Sequence, residues 1–230
     1  MIYFTGDTHG DLLRFMENNM PGESIWTNQD YLIVCGDFGF VFTDSPEEQA
    51  ELDYLAQKPY TICFCDGNHE NFNRLFRYPK EMWNGGFIHR IRPNVIHLMR
   101  GHVFHIDGKK IFAMGGAYSV DKCLRTPGLS WWKEELPNAS EYREAVQNLR
   151  ECDHKVDYVI SHTAPREIIR RMGRYPDGHD LELTGFLEWV MYHAKYQKWF
   201  FGHWHQDKII DRRFYALYYD VVPGWQADTQ

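Results

Sequence analysis

Short apolar runs recur along the chain, each stopping on a small residue followed by Asp, Asn or His. The fullest is Tyr60-Thr61-Ile62-Cys63-Phe64-Cys65, β-rich enough to read as a buried strand ending at Asp66-Gly67. Ile2-Tyr3-Phe4, Tyr31-Leu32-Ile33-Val34-Cys35, Tyr158-Val159-Ile160 and Trp199-Phe200-Phe201 repeat the pattern. Between them the periodicity turns helical. Helices are predicted over residues 11–19, 140–150, 165–172 and 181–194, with a short one after His69. Ser45-Pro46-Glu47-Glu48 reads as a capping box with proline at the first helical position, starting a helix to about residue 57. From Gly86 onward shorter strands are predicted over 87–92, 95–99, 102–106 and 109–114, the last two joined as a hairpin at Asp107-Gly108. Strands over 208–210 and 214–222 close the chain. A loop over 115–136, carrying Arg125 and Trp131-Trp132, is long for a compact domain, and loops of that length often bind or cover ligands.

The strand ends carry the chemistry. They read Gly6-Asp7-Thr8-His9, Gly36-Asp37, Gly67-Asn68-His69-Glu70, Ser161-His162 and Gly202-His203-Trp204-His205. Carboxyl ends of strands in α/β sheets gather along one edge, so these groups can converge although the sequence separates them widely. Asp7, His9, Asp37, Asn68, His162, His203 and His205 offer oxygen and nitrogen ligands and no thiolate. That set exceeds one tetrahedral ion and suits a two-metal site, which can activate a bridging water and clamp a phosphoryl group. Two residues apart, His203 and His205 would face opposite sides of a strand, so a pair serving one centre must sit on a loop.

Composition narrows the setting. The 230 residues suffice for one domain over 1–230 with a substantial core. A net charge of −7 gives no global basic signature for nucleic acid or an anionic membrane. No run is long enough to span a bilayer, and Met1 leads straight into a strand, so a cytoplasmic protein without a secretory leader is expected. Cys35, Cys63, Cys65, Cys123 and Cys152 form no even framework and read as reduced thiols. Glu70 and Arg74, four apart, are expected to pair on a helix, and the arginines at 166, 170, 171 and 174 read as a solvated face before an anion-steering patch.

In this order the motifs Asp-x-His, Gly-Asp, Gly-Asn-His-Glu, a lone His after a strand, and Gly-His-x-His resemble the calcineurin-like metallophosphoesterase superfamily, over residues 6–205. The resemblance implies an α/β fold: a sandwich of two packed mixed β-sheets flanked by helices. It implies two divalent cations (manganese, iron or zinc), one held by Asp7, His9, Asp37 and His205, the other by Asn68, His162 and His203, with Asp37 bridging. His69 would protonate the leaving oxygen, with Asn68 beside the substrate. The 115–136 loop itself offers Arg125 as a clamp on phosphate oxygens, with Trp131 or Trp132 closing over the leaving group; the alternative is that Arg125 pairs with a surface carboxylate and the tryptophans simply pack. The expected reaction is hydrolysis of a small phosphomonoester or phosphodiester. A nuclease of the same superfamily, acting on nucleic acid, is the alternative; a non-catalytic scaffold is a third, disfavoured because every ligand position is kept. One departure stands out. Where the superfamily's phosphoprotein phosphatases place an Asp that orients the catalytic His, this chain has Phe40, which cannot accept a hydrogen bond. A backbone carbonyl, a water or another carboxylate is expected to take that place.

Overall fold

A computed structural model describes residues 1–16 and 19–225. In chain order it contains β1 (Ile2–Thr5), β2 (Tyr31–Cys35), α1 (Pro46–Leu55), β3 (Thr61–Cys65), α2 (Phe72–Leu75), β4 (Lys80–Trp83), β5 (Gly86–Arg92), β6 (Val95–Leu98), β7 (Val103–Ile106) and β8 (Lys109–Met114). There follow α3 (Ala139–Glu151), β9 (Tyr158–Ser161), α4 (Arg166–Arg171), α5 (Leu181–His193), β10 (Lys198–Phe201), β11 (Lys208–Ile210), β12 (Phe214–Ala216) and β13 (Val222–Pro223). One sheet has the order β13-β1-β2-β3-β6-β5-β4 and the other β11-β12-β10-β9-β8-β7. In each, the central strands run parallel and antiparallel strands close the edges.

Side-chain alternation explains why the sheets stack. Ile33 and Cys35 of β2, Ile111 and Ala113 of β8, and Phe200 of β10 point into one shared core. Phe4 and Phe200, from opposite sheets, stack there with ring centroids 3.8 Å apart. The alternate residues face outward onto helices. Leu32 and Val34 pack with Leu52 and Leu55 of α1, while Phe112, Val159, Trp199 and Phe201 pack with α3, α4 and α5. Strands buried on both faces read as continuous apolar runs, as these do. The expected sandwich of two mixed sheets flanked by helices is therefore the fold of this chain.

Local signals translate unevenly into structure. Ser45 caps α1 by accepting from the Glu48 amide, but the Glu48 carboxylate turns back to the amides of Phe42, Thr43 and Asp44, pinning the loop before the helix. The helix expected over 11–19 is a short 3-10 turn, Leu12–Phe15, ending where Met16 is extended; residues 17 and 18 lie outside the described residues. The strand expected over 214–222 breaks after Ala216: β12 pairs in the second sheet, and β13 crosses to pair with β1 in the first. β4, an edge strand with half its residues exposed, was not foreseen. No helix among the described residues is long and apolar enough to cross a membrane.

Candidate metal centre

Five strand ends build one cluster. Asp7 and His9 follow β1, Asp37 follows β2, and Asn68 and His69 follow β3, all from the first sheet. His162 follows β9, and His203 and His205 follow β10, from the second. The backbone turns that release them are tight. His9, Asp37, His203 and His205 all have positive φ, so the last two sit on a loop rather than a strand. Glycine is required beside them: a Cβ on Gly36 would lie 2.1 Å from His162 Nδ1, and one on Gly202 would lie 1.9 Å from Asp7 Oδ1.

The donor atoms crowd together. His9 Nε2 lies 3.0 Å from His205 Nε2, which lies 3.1 Å from Asp7 Oδ2. On the other side, His162 Nε2 lies 3.0 Å from Asn68 Oδ1 and 3.3 Å from Asp37 Oδ2. Neighbouring ligands on an ion with bonds near 2.1 Å stand about 3 Å apart, so both groups have the spacing of a coordination shell. Asp7, His9 and His205 form one set close enough for an ion; Asp7, Asp37 and His162 form another. Asp7 belongs to both. Asp37 also reaches across, with Oδ2 3.9 Å from His9 Nδ1, so both carboxylates stand between the two sets. The His203 ring stands beside that of His162, centroids 5.0 Å apart, and its backbone N–H donates to Asp7.

Electrostatics match the geometry. Burial opposes charge on His162, but Asp37 and Asp7 outweigh it and push the imidazole up to about 10. Burial likewise opposes charge on Asp37, yet His162, His69 and His9 hold its carboxyl far below the usual range. Burial brings His203 down to about 4, leaving a neutral ring suited to ligation. Two buried carboxylates set among imidazoles form a site whose negative charge divalent cations would balance. His162 Nδ1 faces the Cys35 carbonyl at 2.9 Å, which orients the ring with Nε2 toward the cluster.

Around this cluster the loop 115–136 makes two contacts. Met114 ends β8 parallel to β9, delivering the loop to the same edge. Arg125 places Nη2 2.8 Å from His69 Nε2 and ion-pairs through Nε with Asp121. Ser119, fully buried, accepts from Asn68 Nδ2 at 3.2 Å. His69 thus meets a guanidinium donor, where an acceptor was expected in place of the missing Asp; Phe40 is buried against Phe15 and Phe38. Trp132 is no stacking surface. It lies in the core against Phe42, while Trp131 carries Lys122 over its ring. Nor do Glu70 and Arg74 pair. Asn71 caps α2, so Glu70 precedes the helix; it is buried, accepting from the Phe38 amide, and Arg74 reaches Asp44. The arginines of α4 behave as a solvated face, Arg166 pairing with Glu188 and Arg171 with Glu167 and Asp211.

Some neighbours carried no sequence signal. Tyr218 stacks on His205 at 4.5 Å, and Arg14 donates to the Asp7 carbonyl. Behind Asn68, Asp66 is locked by Arg100 and His97. Two openings flank the cluster. A cleft of about 440 Å³ is lined by His9, Phe42, Thr43, Glu47, Glu51 and His69. A pocket of about 260 Å³ is lined by Asp37, Asn68, His69, Tyr118, His203 and His205. His69 is common to both.

No individually curated protein matches the chain. The family model of the calcineurin-like phosphoesterases, by contrast, matches residues 1–207, a stretch holding all of the clustered side chains, and the chain belongs to that family.

Proposed function

We propose that the protein is a two-metal hydrolase of a small phosphate ester, with His69 as its general acid. The reading rests above all on the paired donor sets around Asp7 and Asp37, spaced as two adjoining coordination shells. One ion would be held by Asp7, His9, Asp37 and His205, the second by Asn68, His162 and His203 together with Asp37, with manganese, iron and zinc all suited to these ligands. Bound divalent ions supply Lewis-acid stabilisation of phosphoryl charge and a more acidic water.

The remaining roles fall to the chain itself. His69 stands where the metal-side pocket meets the larger cleft, so an ester whose phosphoryl group occupied the pocket would present its leaving oxygen beside that imidazole. The Asp37 carboxylate accepts the His69 backbone N–H at 2.7 Å, fixing the turn on which the ring is mounted. Arg125 offers a guanidinium fork that can grip a peripheral phosphate oxygen while Asp121 holds its other edge. Glu47 and Glu51 line the cleft, and an acidic wall disfavours a polyanion. That supports a small substrate over nucleic acid.

The test is a panel of phosphomonoesters, nucleotides, cyclic nucleotides and oligonucleotides offered to the metal-loaded protein. Metal-dependent turnover of small esters without cutting of oligonucleotides is expected. Equal turnover by thoroughly chelated protein, or none on any member of the panel, overturns the reading.

A further inference from the structure

An amide ligand can fail in a way a carboxylate cannot. Only its oxygen binds a cation; turned by half a revolution, it presents an NH2 group instead. The two ends are nearly identical in shape, so packing cannot choose between them, and the choice falls to hydrogen bonds. At Asn68 the oxygen faces His162 Nε2 at 3.0 Å, while the NH2 donates to Ser119 Oγ at 3.2 Å. Reversed, the NH2 would confront the nitrogen on which ligation depends.

We infer that Ser119 is a positioning residue: its hydroxyl fixes the Asn68 amide with the oxygen toward the second metal position. Two observations support this. Ser119 is only 1% exposed and Asn68 4%, so water has little access with which to replace a lost hydroxyl. The loop bearing Ser119 is anchored at both ends of this contact. Gly116 N–H donates to the Asp66 carbonyl just before Gly67-Asn68, and Arg100 joins the Asp66 carboxylate to the carbonyls of Glu134 and Glu135. The register between Ser119 and Asn68 is therefore set by main chain and a buried ion pair. The loop is thus a fixed part of the centre, touching Asn68 through Ser119 and His69 through Arg125.

This rests on the proposed ligand role of Asn68, and the experiment separates the two. Manganese is titrated into metal-free protein by calorimetry, with the spin-coupled resonance of adjacent Mn(II) ions as a second readout. Ser119→Ala should weaken one of two sites by about 10–100-fold, the usual effect of losing a partner that orients a ligand, and replace the coupled signal by that of isolated ions. The thermal midpoint of the metal-free protein should be unchanged. Ser119→Thr, which keeps the hydroxyl, should retain both ions; Ser119→Cys, close in size but a weak acceptor, repeats the question should the alanine variant not accumulate. Unaltered affinity for both ions in Ser119→Ala or Ser119→Cys overturns the inference, as does equal loss in Ser119→Thr. Asn68→Ala is the companion: two ions retained there overturns the ligand reading itself, whereas loss there without loss in Ser119→Ala removes Ser119 alone.

Discussion

Arg125 and His69 are in direct contact: Nη2 of the guanidinium stands 2.8 Å from Nε2 of the imidazole and 3.2 Å from Nδ1. The same guanidinium is tied through Nε to Asp121. Arg125 therefore has both the carboxylate partner of a structural arginine and a position beside the proposed acid. Arg125→Ala should lower kcat/KM on the best substrate by about 10–100-fold, the size of one charge-assisted contact, with metal content and melting temperature nearly unchanged. Steady-state kinetics alongside metal analysis checks this; unaltered turnover would make the loop structural only.

Replacing His69 by Asn should separate proton transfer from metal binding. Its ring belongs to neither close-set ligand group, so metal content should stay near normal. Cleavage of an alkyl phosphate should slow by roughly 10²–10⁴-fold, and that of an activated aryl phosphate, whose leaving group hardly needs a proton, by much less. Equal losses on the two substrates would remove His69 from the acid's role.

Gly202→Ala is a severe test of packing at the centre. The added methyl would meet Asp7 Oδ1 at 1.9 Å and the Cys35 carbonyl oxygen at 2.7 Å. Relieving that overlap should cost about 1–3 kcal/mol of stability and displace Asp7, the carboxylate common to both ligand sets. Denaturant melts and metal titration of the variant should both shift; a normal metal affinity would show that the β10 turn can move without the cluster.

Two buried carboxyls should each contribute stability that is lost as the solution is taken from acid to neutral pH. Burial pushes Glu135, ordinarily near 4.5, up to about 7, and Asp180, ordinarily near 3.8, also up to about 7. A raised carboxyl is protonated in the fold and ionised in the open chain, so its contribution is complete below the unfolded value and is lost as pH climbs to the folded one. The decline in their contribution therefore spans about pH 4 to about pH 7. Glu135→Gln should flatten it, as read from thermal midpoints across that range, and an identical slope in the variant would assign the decline elsewhere.

What the sequence disclosed was what is local. A small residue followed by Asp, Asn or His at a strand end is written in consecutive positions, and parallel pairing then brings distant examples to one edge. What it hid depends on partners. Alternation over 214–222 reveals a strand but not which sheet accepts it, so the crossing after Ala216 was invisible. The four-residue spacing of Glu70 and Arg74 presumed a helix that begins only after the Asn71 cap. Trp132 looked like a loop aromatic because nothing nearby in sequence announces Phe42 as its neighbour. Ser119 is one serine in a polar loop until the fold sets it against Asn68.

The strand-end cluster draws on both sheets, whose inner faces meet in apolar packing such as Phe4 on Phe200. An ion shared by Asp37 of one sheet and His162 of the other would act as a rivet through that seam. Sliding the layers would break several donor contacts together, so occupancy of the centre would stabilise the docking of the layers. Cofactor supply would then govern how long the folded protein lasts as well as how fast it works.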